Sequence, residues 1–154
     1  MKLDVRRILV PTDFSPPSER ALEMAIEFAR RFGAELTLFH AHELPAYVFP
    51  DGVMPVSPEI LVELERTMSA ELERLAARAR AAGVPASIKT GVGAHDVEIV
   101  RFASEMNADL IIMGTHGRTG LRHVLLGSVA EKVVRRAPCP VLTVRPTEHA
   151  EKHP

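Results

Sequence analysis

Two glycine clusters near the carboxyl end have the residue types and spacing to hold an anion. Gly114-Thr115-His116-Gly117 is followed, after nine residues, by Gly127-Ser128. The apolar run Asp109-Leu110-Ile111-Ile112-Met113 leads in, and the helix-like run Val129-Ala130-Glu131-Lys132-Val133-Val134-Arg135-Arg136 leads out. Glycines let a backbone come close to a ligand, and the first N–H groups of a helix point at whatever sits there. A phosphate is the natural occupant of such a loop, and the Ser128 hydroxyl adds a donor. The loop departs from a Walker A loop: no lysine follows Gly127 and the glycines are too far apart. Gly91-x-Gly93 is only a fragment of the dinucleotide fingerprint.

Such a loop has to be positioned by strands and helices, and turn residues mark these off. Arg7-Ile8-Leu9-Val10-Pro11 is a short apolar run with the character of a buried strand. Ser15 before Pro16 has the form of an N-cap with proline at the first helical position. Ala21, Leu22, Ala25, Ile26 and Ala29 then recur at helical spacing until Gly33. Glu35 to Ala41 is a second strand. Glu43 to Val56 carries three prolines and a glycine and reads as a long loop, a candidate flap over a site. Ser57-Pro58-Glu59 opens a long helix with the stripe Leu61, Leu64, Met68, Leu72, Leu75, Ala79, ended by Gly83 and Pro85. Ala86 to Thr90 is a third strand. Val97 to Met106 is a helix expected to pack through Val97, Val100 and Ala103. Leu110 to Met113, Ser128 to Arg136 and Pro140 to Arg145 complete the alternation.

Alternating strands and helices imply a three-layer α/β fold: an open, twisted, parallel five-stranded sheet with helices on both faces, Rossmann-like. In strand order 3-2-1-4-5 the order reverses between the first and fourth strands, and ligands bind there beyond the carboxyl ends. The loops meeting at that reversal are Thr12-Asp13-Phe14-Ser15 and Gly114 to Gly127. Asp13 is therefore expected opposite the glycine loop, although an aspartate after a strand often serves only the turn.

Several segments together resemble the universal stress protein family, specifically its ATP-binding branch. They are Gly114-x2-Gly117-x9-Gly127-Ser128, Val10-Pro11-Thr12-Asp13-Phe14-Ser15, Leu38-Phe39-His40-Ala41, and Ala137-Pro138-Cys139-Pro140-Val141-Leu142-Thr143-Val144. The resemblance runs from about Arg6 to Arg145. It implies an adenine nucleotide alpha hydrolase-like fold and a bound adenine nucleotide: ATP, or AMP or ADP, with or without Mg2+. Asp13 would meet the ribose. Pro11, Thr12 and Ala41 would line the adenine pocket, and Met113 and Gly114 would flank base or sugar. His116, Gly117, Arg118, Gly127, Ser128 and Val129 would surround the phosphates. It also implies a homodimer pairing the edge strand Val141 to Val144 with its two-fold mate; the alternative is an edge guarded by Pro140, Arg145 and Pro146.

The remaining candidates are weaker. His40 and His42 face one side of a strand and lack a third metal ligand nearby. Cys139, the single cysteine, excludes an internal disulfide and reads as a small core residue. The 154 residues suit one domain, taken as 1–146 with a polar tail at 147–154. A net charge of −1 without a long run of one sign argues against nucleic acid or an acidic membrane surface as partner. No stretch reaches the ~20 apolar residues of a membrane span, and the start lacks a signal-peptide core, so a cytoplasmic protein is expected. No paired carboxylates flank the glycine loop. The expected role is a regulatory or stress-response binding protein, with a slow ATP hydrolase or a ligand-independent interaction module as alternatives.

Overall fold

The computed structural model describes residues 4–117 and 126–146. The elements run β1 (Arg7–Pro11), α1 (Pro16–Phe32), β2 (Glu35–His42), β3 (Ala46–Phe49), β4 (Gly52–Pro55), α2 (Pro58–Ala81), β5 (Ala86–Val92), α3 (His95–Glu105), β6 (Leu110–Gly114), α4 (Ser128–Arg136) and β7 (Val141–Val144). Five of these strands form a parallel sheet in the order β5-β2-β1-β6-β7. Counting only that sheet's strands, this is the expected order 3-2-1-4-5. The strand reversal falls between β1 and β6, where Ile8 pairs with Leu110 and Leu9 with Ile111.

The alternation of side chains along each strand decides which helix it meets. Ile8, Val10, Leu36, Leu38 and Ile112 pack with Leu22 and Ala25 of α1 and Leu72 and Leu75 of α2. Leu9, Phe39, Ala41, Ile111 and Met113 pack with Ile99 and Ala103 of α3 and Val133 of α4. Both faces are covered, so β1 and β6 are apolar almost throughout rather than alternating. Burying each large aliphatic side chain contributes roughly 1.5–3 kcal/mol, an upper bound because the unfolded chain is already partly collapsed.

Helix ends follow local chemistry. α1 begins after Ser15 with two prolines in its first turn, and Gly33 ends it in the left-handed region at φ 67°, its N–H donating to Ala29 O. Ser15 does not cap with its hydroxyl, which turns instead to Asp13.

Two expectations are corrected. Glu43 to Val56 is not an irregular loop: β3 and β4 form a two-stranded antiparallel hairpin about Pro50 and Asp51. Its prolines stand at the ends, where the ladder needs no N–H, so the β-prone Tyr47-Val48-Phe49 and Val53-Met54 pair undisturbed. Val97 does not pack inward; it is half exposed, while Ile99 and Ala103 are buried. Residues 97 and 99 lie about 200° apart around a helix, so a stripe through Ile99 and Ala103 turns Val97 outward.

Candidate functional site

A cavity of about 1050 Å³ opens beyond the carboxyl ends of β1, β2 and β6. Its lining draws on all three strand ends and on the amino terminus of α4, the place the sheet order predicts. Pro11, Thr12, Asp13, Ala41, Met113, Gly114, His116, Gly117, Gly127, Ser128 and Val129 all line it. Eleven of the twelve residues singled out from sequence are therefore brought together; Arg118 lies outside the described residues. A second cavity of about 680 Å³ lies at the opposite end of the sheet, with Arg6, Arg7, Arg30 and Asp109 in its wall. There Asp109 Oδ2 accepts from the backbone N–H groups of Arg6 at 3.0 Å and Arg7 at 2.8 Å. That carboxylate is used to fasten the start of β1 to the start of β6.

The β1 turn is built around Asp13. Its Oδ1 accepts from the Ser15 backbone N–H at 3.0 Å and from the Ser15 hydroxyl. The Thr12 hydroxyl oxygen accepts from the Phe14 N–H at 3.0 Å and shares a 3.0 Å hydrogen bond with the Ser18 hydroxyl. Phe14 takes φ 63°, a left-handed conformation that costs a bulky residue roughly 1–2 kcal/mol. The Phe14 ring lies 4.7 Å from the His40 ring, between centroids, and His40 Nδ1 donates to Thr12 O at 2.8 Å. A carbonyl can only accept, so His40 carries its proton on Nδ1. Strain of this kind persists only where surrounding contacts enforce it, and here they aim Asp13 across the crevice.

The opposing wall is the glycine loop. Gly117 comes so close to Asp13 that a methyl group on it would stand 2.8 Å from Asp13 Oδ2. Gly127 N–H donates to Thr115 O at 2.7 Å, and a methyl group on Gly127 would lie 2.9 Å from that same oxygen. Thr115 is buried and fixed in turn by its own N–H on Val144 O at 3.0 Å. Gly114 serves packing as well: a methyl group there would meet the Pro17 backbone at 3.1 Å. In α4 the first intrahelical bond is Glu131 N–H to Gly127 O, which leaves the N–H groups of Ser128, Val129 and Ala130 without an intrahelical acceptor. Ser128 is exposed at this mouth. The Thr115 hydroxyl and His116 Nδ1 share a 2.9 Å hydrogen bond.

The pair His40 and His42 divides. His40 is satisfied by Thr12, whereas His42 Nδ1 is buried with no hydrogen-bond partner among the described residues, and His42 lines the cavity. No cluster of three metal-ligating side chains occurs among the described residues. Cys139 is half-buried against the α3–α4 side of the core, and burial, then the negative charge of Asp109, pushes its thiol pKa up. Spacing alone did not identify Leu64 and Met68 as cavity residues, because their stripe on α2 continues into the core. Nor did it mark Phe14, whose conformation arises from packing.

The sequence profile of the universal stress protein family matches residues 4–145. Universal stress protein MJ0531 of Methanocaldococcus jannaschii is 38% identical over 143 residues, covering 91% of this chain and 82% of the relative. Among solved structures, a universal stress protein in complex with cAMP is 30% identical with a TM-score of 0.68, covering 94% of this chain and 99% of that one. The universal stress protein of Archaeoglobus fulgidus in complex with dAMP is 26% identical with a TM-score of 0.60, covering 92% and 98%. Among the described residues no helix is long and apolar enough to cross a membrane. From the match along nearly its full length, this chain belongs to the universal stress protein family.

Proposed function

We propose that this protein binds an adenine nucleotide, ATP foremost, between the β1 turn and the glycine loop, as a member of the family's ATP-binding branch. The observation that carries the proposal is the closeness of Gly117 to Asp13 across the β1–β6 crevice, with a helix N-terminus beside it. A phosphate chain needs donors without side chains in the way, and Gly117, Gly127, Ser128 and Val129 supply that cradle. Asp13 has an acceptor for ribose hydroxyls. Pro11, Thr12 and Ala41 offer small apolar and backbone surface to adenine, with Met113 and Gly114 beside base or sugar. His116 lies beside the same loop, and the family resemblance adds Arg118, outside the described residues, to the phosphate surround. The unpartnered His42 nitrogen also fits a polar ligand in this cavity, since a buried unpaired nitrogen costs about 1–3 kcal/mol. The relatives solved with cAMP and dAMP support the same ligand class. If Mg2+ enters with the phosphates, Asp13 and Ser128 are the residues to share it, and the ion would neutralise phosphate charge.

Binding rather than turnover is the proposed role: a regulatory stress-response protein in the cytoplasm, with residues 1–146 as one unit. It would act as a homodimer through β7, which lies at the sheet edge. Mass spectrometry of the purified protein should find retained adenine nucleotide, and titration calorimetry should show ATP and AMP binding that Asp13→Ala weakens at least tenfold. Nucleotide-free protein with no heat of binding to either compound would refute the proposal.

A further inference from the structure

The carboxyl end of β2 brings two imidazoles to the cavity, and they hold their protons on opposite nitrogens. Leu38 packs with Leu72 and Leu75 of α2, so strand alternation turns His40 and His42 to that same α2 side, whereas Phe39 and Ala41 turn towards α3. The two rings lie 6.2 Å apart between centroids and are inclined by only 13°. His40 donates its Nδ1 proton to Thr12 O. His42 has no such acceptor: its Nδ1 is buried and without a hydrogen-bond partner among the described residues. A neutral imidazole carries one proton. On Nδ1 of His42 that proton would bury an N–H that nothing accepts, the rarer kind of orphan. His42 is partly exposed in spite of its buried Nδ1, so the far edge of the ring, with Nε2, is what meets the cavity. The proton therefore sits on Nε2, and His42 presents an N–H donor.

The α2 wall around this donor is otherwise apolar or already engaged. Leu64 and Met68 are apolar, the Thr67 hydroxyl donates to Glu63 O at 3.0 Å, and the Glu71 carboxylate accepts from Arg74 Nε at 3.2 Å. Position along the sheet decides which part of a ligand comes here. Gly117 follows β6, Asp13 follows β1, and His42 ends β2, the next strand on the far side of β1. Two strand spacings put the end of β2 about 10 Å from the end of β6. A nucleotide with its phosphates on the glycine loop and its ribose at Asp13 therefore has its base at the end of β2. Resting on the nucleotide site proposed above, we infer that His42 selects that base: its Nε2–H donates to a ring nitrogen of adenine, with Leu64 and Met68 forming the apolar surface nearby. A base edge that brought an N–H to the same point would set donor against donor and leave both unpaired.

Two measurements test this. Nitrogen-15 NMR of the histidine-labelled full chain without ligand, at alkaline pH where imidazoles are neutral, reads the tautomers directly. The signals of His42, identified as those lost in His42→Phe, should show a protonated Nε2 and a bare Nδ1. A protonated Nδ1 would overturn the inference. Titration calorimetry then compares ATP with its 1-deaza, 3-deaza and 7-deaza analogues, each of which replaces one ring nitrogen by C–H. In the wild type one analogue should bind about fivefold or more weakly than ATP, and in His42→Phe that analogue and ATP should bind alike. The same ranking of ATP and its analogues in both proteins would overturn the His42 contact and leave the nucleotide site standing. A wild type that binds none of these compounds would refute the nucleotide site, and the base contact with it.

Discussion

Replacing Gly127 with alanine isolates the close approach that the proposed nucleotide site depends on. Gly127 has φ −65° and ψ 161°, an extended conformation alanine adopts freely. Conformational preference alone would make the replacement neutral or stabilising by about 0.4–1 kcal/mol. Contact reverses this, because the added methyl lies 2.9 Å from Thr115 O, well inside the ~3.3–3.6 Å of a close carbon–oxygen contact. Thr115 cannot yield: it is buried and tied to Val144 O. The start of α4 must therefore move by about half an ångström, lengthening the Gly127-to-Thr115 bond and turning the Ser128 and Val129 N–H groups off the ligand. Overpacking of this kind costs about 1–3 kcal/mol. Taken from binding, that is a loss of about 5- to 140-fold in ATP affinity, at tenfold per 1.4 kcal/mol. Gly33→Ala is the matched control. Its φ of 67° penalises alanine by about 1–2 kcal/mol, yet nothing lies within 4 Å of the new methyl and the position is remote from the cavity. Calorimetry with ATP and thermal melts without ligand should give opposite patterns. Gly127→Ala loses affinity, whereas Gly33→Ala loses about 2–4 °C per kcal/mol of stability and binds normally. Wild-type affinity and melting for Gly127→Ala would refute the close-approach argument and the site built on it.

Three further outcomes follow from the same geometry. Hydrogen bonding to Arg101 outweighs burial and holds the Glu98 carboxyl below its ordinary range. Its stabilisation is full above the ordinary carboxylate pKa and is lost as pH falls through the lower folded value, so Glu98→Gln should flatten that acid limb of a melting-temperature profile; an unchanged limb contradicts it. His42→Phe keeps a ring but removes the unpartnered Nδ1, and should raise ligand-free stability by about 1 kcal/mol while weakening nucleotide binding, if His42 meets the base; melts and calorimetry separate the two effects. The raised pKa of Cys139 keeps it a thiol at neutral pH, so iodoacetamide should alkylate it more slowly at pH 7.5 than free cysteine; equal rates would show the thiol is neither shielded nor perturbed.

Most of the strand and helix order was legible from sequence, because it rests on local signals. Pro16 and Pro17 start α1, Gly33 ends it in a conformation that suits glycine, and α4 runs from Ser128 to Arg136 as its pattern predicts. The meeting of Asp13 with the glycine loop was legible for a different reason. An alternating β-α pattern admits few sheet orders, and the order 3-2-1-4-5 brings the ends of β1 and β6 together.

Where the physics is non-local, sequence did not suffice. Tyr47 to Met54 holds β-prone residues between prolines, and only the closing of Tyr47 on Met54 and Val48 on Val53 turns a supposed loop into a hairpin. Val97 and Ile99 are equally apolar, and the docking of α3 on the sheet chose Ile99. His40 and His42 share one side of β2, yet the β1 turn reaches Thr12 O to His40 and leaves His42 Nδ1 unpartnered. Turn chemistry, helix caps and side-chain periodicity act over a few residues and thus determined the elements and the sheet, while the resemblance of four whole segments pointed to the family and to the residues around the cavity. Tertiary structure alone decided the approach of Gly117 to Asp13, too close to admit a Cβ, the left-handed Phe14 and the exposed apolar hairpin, because each depends on contacts between segments far apart in the chain or on their absence.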